Sequence, residues 1–159
     1  MRSLTIAELE SWLTETFAGL MPKASWGERS YFYNPDGSAP HGTYFLTVKE
    51  KNGDNDTASA LDRPEVWRLN FGVAKPEFMR RFGPPPPRPA KGTTIAGPWD
   101  FTALDTLTPH PVYGWMGWVA VVNPSAATFE EVKPLLHAAY AKSRAAFDGR
   151  TARKRAGRV

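Results

Sequence analysis

The sequence predicts one α+β domain in which an antiparallel sheet of about four strands is covered on one face by an N-terminal and a C-terminal helix. A length of 159 residues fits a single domain. Apolar residues recur at helical spacing near both ends, and strand-like alternation occupies the middle. We therefore predict a domain over residues 1–149, with a proline-rich connector at residues 83–92 inside it.

The first helix is predicted from about Ile6 to Gly19. Thr5 and Glu8 have the spacing of a capping box, which satisfies free N–H groups at a helix start. The apolar positions that share the helical spacing are Leu4, Leu9, Trp12, Leu13, Phe17 and Leu20.

Two strands joined by a loop are predicted next, at Glu28–Tyr33 and Thr43–Glu50. Both segments are rich in aromatic and β-branched residues, and the sequence NPDG at residues 34–37 is typical of a turn. The polar segment Lys51–Ser59 is predicted to be a turn or a mobile loop.

A third strand is predicted within Pro64–Val73, where the residues alternate between two faces. One face carries Trp67, Leu69, Phe71 and Val73, and the other carries Val66, Arg68, Asn70 and Gly72. This pattern is typical of a strand with one face on a core.

A short helix and a stiff connector follow. KPEFMRRF has Pro76 in its first turn and Gly83 after its end, which are common helix boundary signals. The connector GPPPPRPAKG contains five prolines, which exclude helix and central strand. We interpret it as a spacer. The alternative is that the proline run binds an aromatic groove on another protein.

The C-terminal half is predicted to contain a helical turn at Asp100–Leu107, a strand at Trp115–Val122 and a helix at Thr128–Phe147. Thr128 and Glu131 form a second capping-box pattern. Trp118 alternates with Ala120 and Val122, which predicts a core position and a cost of about 3–5 kcal/mol for truncation to alanine.

The positive charge is concentrated at the C-terminus. Five of the 20 basic residues lie within residues 150–159, and without them 15 basic residues stand against 16 acidic ones, a net charge of −1. This segment is poor in apolar residues and repels itself, so it is predicted to be a disordered basic tail.

Several strings closely resemble an uncharacterised, mainly actinobacterial family of unknown function. They run in order from LDRPEVWRLNFGV through FMRRFGPPP, DFTALD and TPHPVYGWMGWVAVVNPS to TFEEVKPLLHAAY. This resemblance covers about residues 5–147 and implies no assigned activity and no catalytic residues.

A weaker similarity links the chain to the MmcQ/YjbR-like proteins. The strand at Trp118–Val122 and the segment Leu135–Tyr140 match a Trp-containing strand and a following helix of those proteins. The resemblance implies a small antiparallel sheet backed by helices. Those proteins are often labelled DNA-binding, but the proline-rich insert departs from their pattern and the domain is nearly neutral.

An aromatic cluster around His110 is the first candidate site. Histidine titrates near neutral pH and could act as an acid, a base or a ligand beside Tyr113, Trp115 and Trp118. The alternative is that the ring of His110 only bonds a loop carbonyl. Because His110 and Tyr113 precede the strand, their alanine variants are predicted to cost less than about 1.5 kcal/mol.

A second candidate site comprises Arg63, Arg68 and Asn70. The forked donors of arginine could hold a carboxylate or phosphate ligand. Alternatively, either arginine pairs with Asp62, Asp100 or Asp105 to hold loops in place. Both readings predict that Arg68 is not freely solvated.

Other chemistries have little support in the sequence. The chain has no cysteine, which excludes disulfides and thiolate sites. No dinucleotide or phosphate-binding glycine motif is present, and the three histidines lack metal-ligand spacing. We predict no cofactor, no metal, no membrane partner and, by default, a cytoplasmic location.

Three functions stay open at this point. The first is a non-catalytic module that binds a small molecule or peptide at the sheet face with Arg68, Asn70, His110 and either Trp67 or Trp118. The second is an enzyme of unrecognised type that uses His110 with Tyr113 and Arg68. The third is an accessory protein that binds nucleic acid weakly and without sequence preference through the basic tail.

Overall fold

A computed structural model describes residues 2–25, 27–37 and 39–157 of the chain. These residues form an α+β domain, and no helix among them is long and apolar enough to cross a membrane. Its elements are α1 (Ile6–Thr16), β1 (Leu20–Ser25), β2 (Glu28–Tyr33), β3 (Thr43–Lys49), β4 (Arg68–Gly72), α2 (Lys75–Phe82), β5 (Leu107–Pro109), a 3₁₀ turn (Gly114–Met116), β6 (Trp118–Val122) and α3 (Ala126–Ala156).

The strands form one antiparallel sheet in the order β1-β2-β3-β4-β6-β5. The described residues thus contain six strands, and the prediction of about four was too low. The two missed strands lie at the edges of the sheet. β1 contains Pro22 and is largely exposed, and β5 has only three residues and ends at Pro109, so neither carries an alternating apolar pattern.

Helices α1 and α3 supply apolar side chains to the same core on one face of the sheet. Leu9 and Leu13 come from α1, and Val132 and Leu136 come from α3. The strands contribute the other half of this core, with Tyr31, Tyr33, Phe45, Leu46, Val48, Leu69, Phe71, Val119 and Val121.

The predicted capping box at Thr5 and Glu8 is confirmed. Helix α1 ends three residues earlier than predicted because the chain must reach β1 at Leu20.

A bulge in β3 changes which of its side chains face the core. Tyr31 pairs with Leu46 and Phe32 pairs with Tyr44, so Phe45 has no partner across the strand. As a result Phe45 and Leu46 both enter the core, whereas Tyr44 stands on the opposite face with 60% of its surface exposed.

The C-terminal helix differs from the prediction at both ends. The side chain of Ser125 accepts a hydrogen bond from the backbone N–H of Thr128 at 3.3 Å, so Ser125 caps the helix instead of Thr128. The helix continues past Phe147 to Ala156, through a segment that was predicted to be disordered; Arg158 and Val159 lie outside the described residues. Alanine, arginine and lysine are strong helix formers, and extending a helix needs no new nucleation.

The intervening segments divide into confirmed and corrected elements. Helix α2 has the predicted limits, and Gly83 ends it with φ 80°. Residues 83–92 contain neither helix nor strand, as predicted. Residues 100–107 form turns and the start of β5 instead of a helical turn, because Asp100 accepts hydrogen bonds from the backbone and hydroxyl of Thr102.

Deletion of residues 150–159 should leave the thermal midpoint unchanged within about 2 °C, since single exposed contacts contribute little. Phe147 is the last buried apolar residue of α3, and Phe147→Ala should cost about 3–5 kcal/mol. Differential scanning calorimetry of the two variants measures the contrast. A loss of several degrees on deletion would show that the end of α3 docks on the domain.

Candidate functional site

Arg68 occupies the centre of the sheet face opposite the core and is completely buried. Its Nε donates to Asn70 Oδ1 at 2.6 Å, and Nη1 donates to Ser59 Oγ at 2.9 Å. Nη1 and Nη2 donate to the two carboxylate oxygens of Asp56. Nη2 also lies 3.1 Å from His110 Nε2. The prediction that Arg68 is not freely solvated is confirmed, but its fork is filled by the protein's own carboxylate.

Asp56 was not predicted, and none of the three carboxylates named as partners bonds to Arg68, although the charge of Asp100 interacts with that of Arg63. Asp62 accepts from Asn52, Asp100 from Thr102, and Asp105 from Ser125. Asp56 belongs to the polar segment after β3. Lys49 at the end of β3 pairs with Arg68, so this segment begins beside the guanidinium. That adjacency depends on the pairing of β3 with β4, so the sequence alone carries no local signal for Asp56.

The loop that carries Asp56 is ordered by contacts at both ends. Gly53 and Asp56 exchange backbone hydrogen bonds, and Asn52 bonds Asp62 and the backbone of Leu61. Burial by itself raises the pKa of Asp56, but the hydrogen bonds and charge of Arg68 outweigh it and hold the pKa below the usual range. Asp56 is therefore ionised opposite Arg68 at neutral pH.

His110 lies in the loop after β5, as predicted, but its side chain is buried, with 3% of its surface exposed. The backbone N–H groups of Val112 and Tyr113 both donate to Nδ1 at 3.1 Å, while Arg68 faces Nε2. A neutral imidazole has one lone pair for these three donors, and a protonated ring has none. Burial and then the charge of Arg68 lower the pKa of His110 to about 3. The ring is neutral under physiological conditions.

A cavity of about 270 Å³ opens beside this polar network. Two of its lining residues, Thr47 and His110, are buried; Thr47 accepts a hydrogen bond from Asn70, so both lie next to the network. Large exposed apolar side chains stand around it: Tyr44, Tyr113 and Met116 are 60%, 49% and 54% exposed. The complete lining is Glu28, Tyr44, Thr47, His110, Tyr113, Met116 and Trp118.

Trp118 forms part of the cavity wall, and its predicted core position was wrong. It is half-buried, and it pairs with Gly72 of β4, where a Cβ atom would lie 3.3 Å from the indole Nε1. The neighbouring Val119 and Val121 face the helices instead. Gly117, with φ 88°, ends the 3₁₀ turn immediately before Trp118.

Four of the six sequence-predicted site residues do not line this cavity. The guanidinium of Arg88 lies 5.0 Å from the ring centroid of Trp115, which therefore contacts the proline-rich connector. Arg63 donates to the carbonyls of Ser59, Ala60 and Thr102 and so joins two loops. Arg68 and Asn70 lie beneath the cavity and do not line it.

The fold and this face define a small α+β domain with a buried Arg-Asp-His network under an aromatic cavity. Among the described residues no group of three histidine, aspartate or glutamate side chains is placed to hold a metal. The model of a family of unknown function, DUF6194, matches residues 4–153, and the chain belongs to that family. No curated protein and no solved structure matches the chain.

Removing the carboxylate of Asp56 should destabilise the domain strongly. Asp56→Ala leaves the buried guanidinium of Arg68 without its counter-charge, which costs about 3–5 kcal/mol. The matched control is Asp54→Ala, because Asp54 lies exposed in the same loop; we expect a change within about 0.5 kcal/mol. Urea denaturation of both variants gives the comparison, and equal stabilities would contradict the role of the ion pair.

The free energy of unfolding should fall as the pH is lowered from about 6.5 towards 3. The unfolded chain binds a proton on His110 below about pH 6.5, whereas the folded protein does not until about pH 3. One such proton contributes a slope of about 1.4 kcal/mol per pH unit.

Urea denaturation at several pH values, with His110→Gln and His137→Gln in parallel, isolates this contribution. His137 is exposed on α3, so in its variant the free energy of unfolding should keep its full slope against pH between pH 6.5 and 4.5. His110→Gln should lose stability at pH 7 and show a shallower slope. An unchanged slope in His110→Gln would assign the pH dependence to other groups.

Proposed function

We propose that this protein binds a small molecule in the cavity between Tyr44, Tyr113 and Trp118. The observation that supports this most is the clustering of exposed apolar side chains. The described residues include six large, exposed hydrophobic residues, and three of them, Tyr44, Tyr113 and Met116, line this single concavity. Concave, aromatic sites with a few fixed polar groups are the usual form of ligand sites.

The polar network supports the same function by fixing the cavity floor. Thr47 accepts a hydrogen bond from Asn70, and His110 Nδ1 accepts from the backbone N–H groups of Val112 and Tyr113, so the polar groups that a ligand would meet are already positioned. A preformed site loses little conformational entropy on binding. The volume of about 270 Å³ favours a small ligand over a peptide.

The two alternative functions have weaker support. An enzyme that uses His110 as an acid or base would need a pKa nearer neutrality than about 3. Nucleic-acid binding would depend on the basic tail, and three of its residues, Arg150, Arg153 and Lys154, line a groove that also contains the acidic Asp36 and Asp148. The similarity to the MmcQ/YjbR-like fold and the cytoplasmic location remain predictions.

A fragment screen by ¹H–¹⁵N NMR tests the proposal. Fragments that bind should shift the resonances of Thr47, Tyr113 and the Trp118 indole together. Tyr113→Ala should abolish these shifts while changing stability by less than about 1 kcal/mol, because the side chain is half exposed.

Met79→Ala is the matched control, since Met79 is also exposed but lies on α2 outside the cavity. It should bind the same fragments as the wild type. A screen in which no fragment of any charge shifts the cavity resonances would refute the proposed function.

A further inference from the structure

The charge of the cavity lining limits the ligands that it can hold. Glu28 is the only charged residue among the seven lining residues that the structure describes. Its side chain is 33% exposed, and its Oε2 lies 3.6 Å from Lys49 Nζ. That distance is too long for a hydrogen bond, so the carboxylate keeps acceptor sites for a ligand.

The cations near the cavity are not available to an anionic ligand. The guanidinium of Arg68 is completely buried, and its N–H groups point to Asp56, Ser59, Asn70 and His110. Lys49 has only 10% of its side chain exposed, pairs with Glu28 and does not line the cavity. Neither cation lines the cavity, so Glu28 is the charged group that a ligand would meet there, and His110 is neutral.

The aromatic walls favour a positive charge. Tyr44, Tyr113 and Trp118 line the same cavity, and the faces of such rings attract cations through their quadrupoles. The Met116 thioether adds a polarizable and adaptable contact. Aromatic side chains that share a cavity with a carboxylate form the kind of surface that binds alkylated ammonium groups.

The geometry points to a small organic cation, with an alkyl- or methylammonium group, as the ligand of this cavity. The ammonium group lies against the aromatic wall of the cavity and faces Glu28, whose ion pair with Lys49 is too long for a hydrogen bond. This inference rests on the proposed function and adds the chemical class of the ligand.

Choline and its uncharged isostere 3,3-dimethylbutan-1-ol test the inference, with acetate as an anionic probe. NMR titration of the full chain should give an affinity for choline about tenfold higher than for the alcohol, with shifts at Thr47, Tyr113 and Trp118. Acetate should not shift these resonances. Equal or tighter binding of the alcohol, or shifts confined to other surfaces, would overturn the inference.

Two variants test separately what the Glu28 carboxylate and the Tyr113 ring contribute to choline binding. Glu28→Gln should weaken choline several-fold and leave the alcohol unchanged, whereas Glu50→Gln, an exposed carboxylate directly after β3, should change neither. Tyr113→Leu keeps an apolar wall but removes a ring, so it should also weaken choline selectively. If Glu28→Gln and Tyr113→Leu both bind choline like the wild type, the inference is wrong.

The outcomes distinguish this inference from the proposed function. Cavity shifts with neutral or anionic fragments but not with choline would reject the cationic ligand and retain small-molecule binding. An absence of cavity shifts with every probe and fragment would reject both.

Discussion

A guanidinium group buried in the middle of a sheet requires acceptors for its N–H groups, and Arg68 imposes this requirement on β4 and on the loop after β3. Asp56 and Ser59 come from the loop after β3 and Asn70 from β4 itself, while His110, in the turn after β5, lies beside the guanidinium with Nε2 3.1 Å from Nη2. Leaving such a group unpaired costs several kcal/mol. The position of the loop after β3 therefore follows from one side chain.

This requirement gives the sheet two unlike faces. The helix-covered face is filled by apolar side chains and depends on packing. The opposite face is covered by loops, which can be ordered only if their polar groups find partners. The cavity lies where this loop covering stops, between Tyr44 on the bulged strand and the turn that carries Tyr113.

Elements with strong local patterns could be predicted from the sequence, and those defined by distant contacts could not. The limits of β2 and α2 follow from alternation, proline and glycine positions. Edge strands such as β1 lack a buried face, so their residues show no alternation. Alternation also places Trp118 with Ala120 on one face, but it does not reveal which face the helices cover.

The candidate site likewise contains residues that a local sequence pattern predicts and residues that only distant contacts define. A buried arginine on an apolar strand is predictable, because Arg68 lies between Trp67 and Leu69 in sequence. Its partner Asp56 is not, because the loop that joins β3 to β4, residues 50–67, can close in many ways. The His110 environment depends on β4 and on the turn after β5 meeting in space, which no local pattern encodes.

The two edge strands have a consequence for association between molecules. An open sheet edge offers a row of free N–H and C=O groups to any other strand, and this can nucleate aggregation. Here Pro22 removes a donor from β1, and β5 has only three residues, the last of which is Pro109. Neither edge presents a long unbroken hydrogen-bonding template, which protects the sheet against edge-to-edge growth into fibrils.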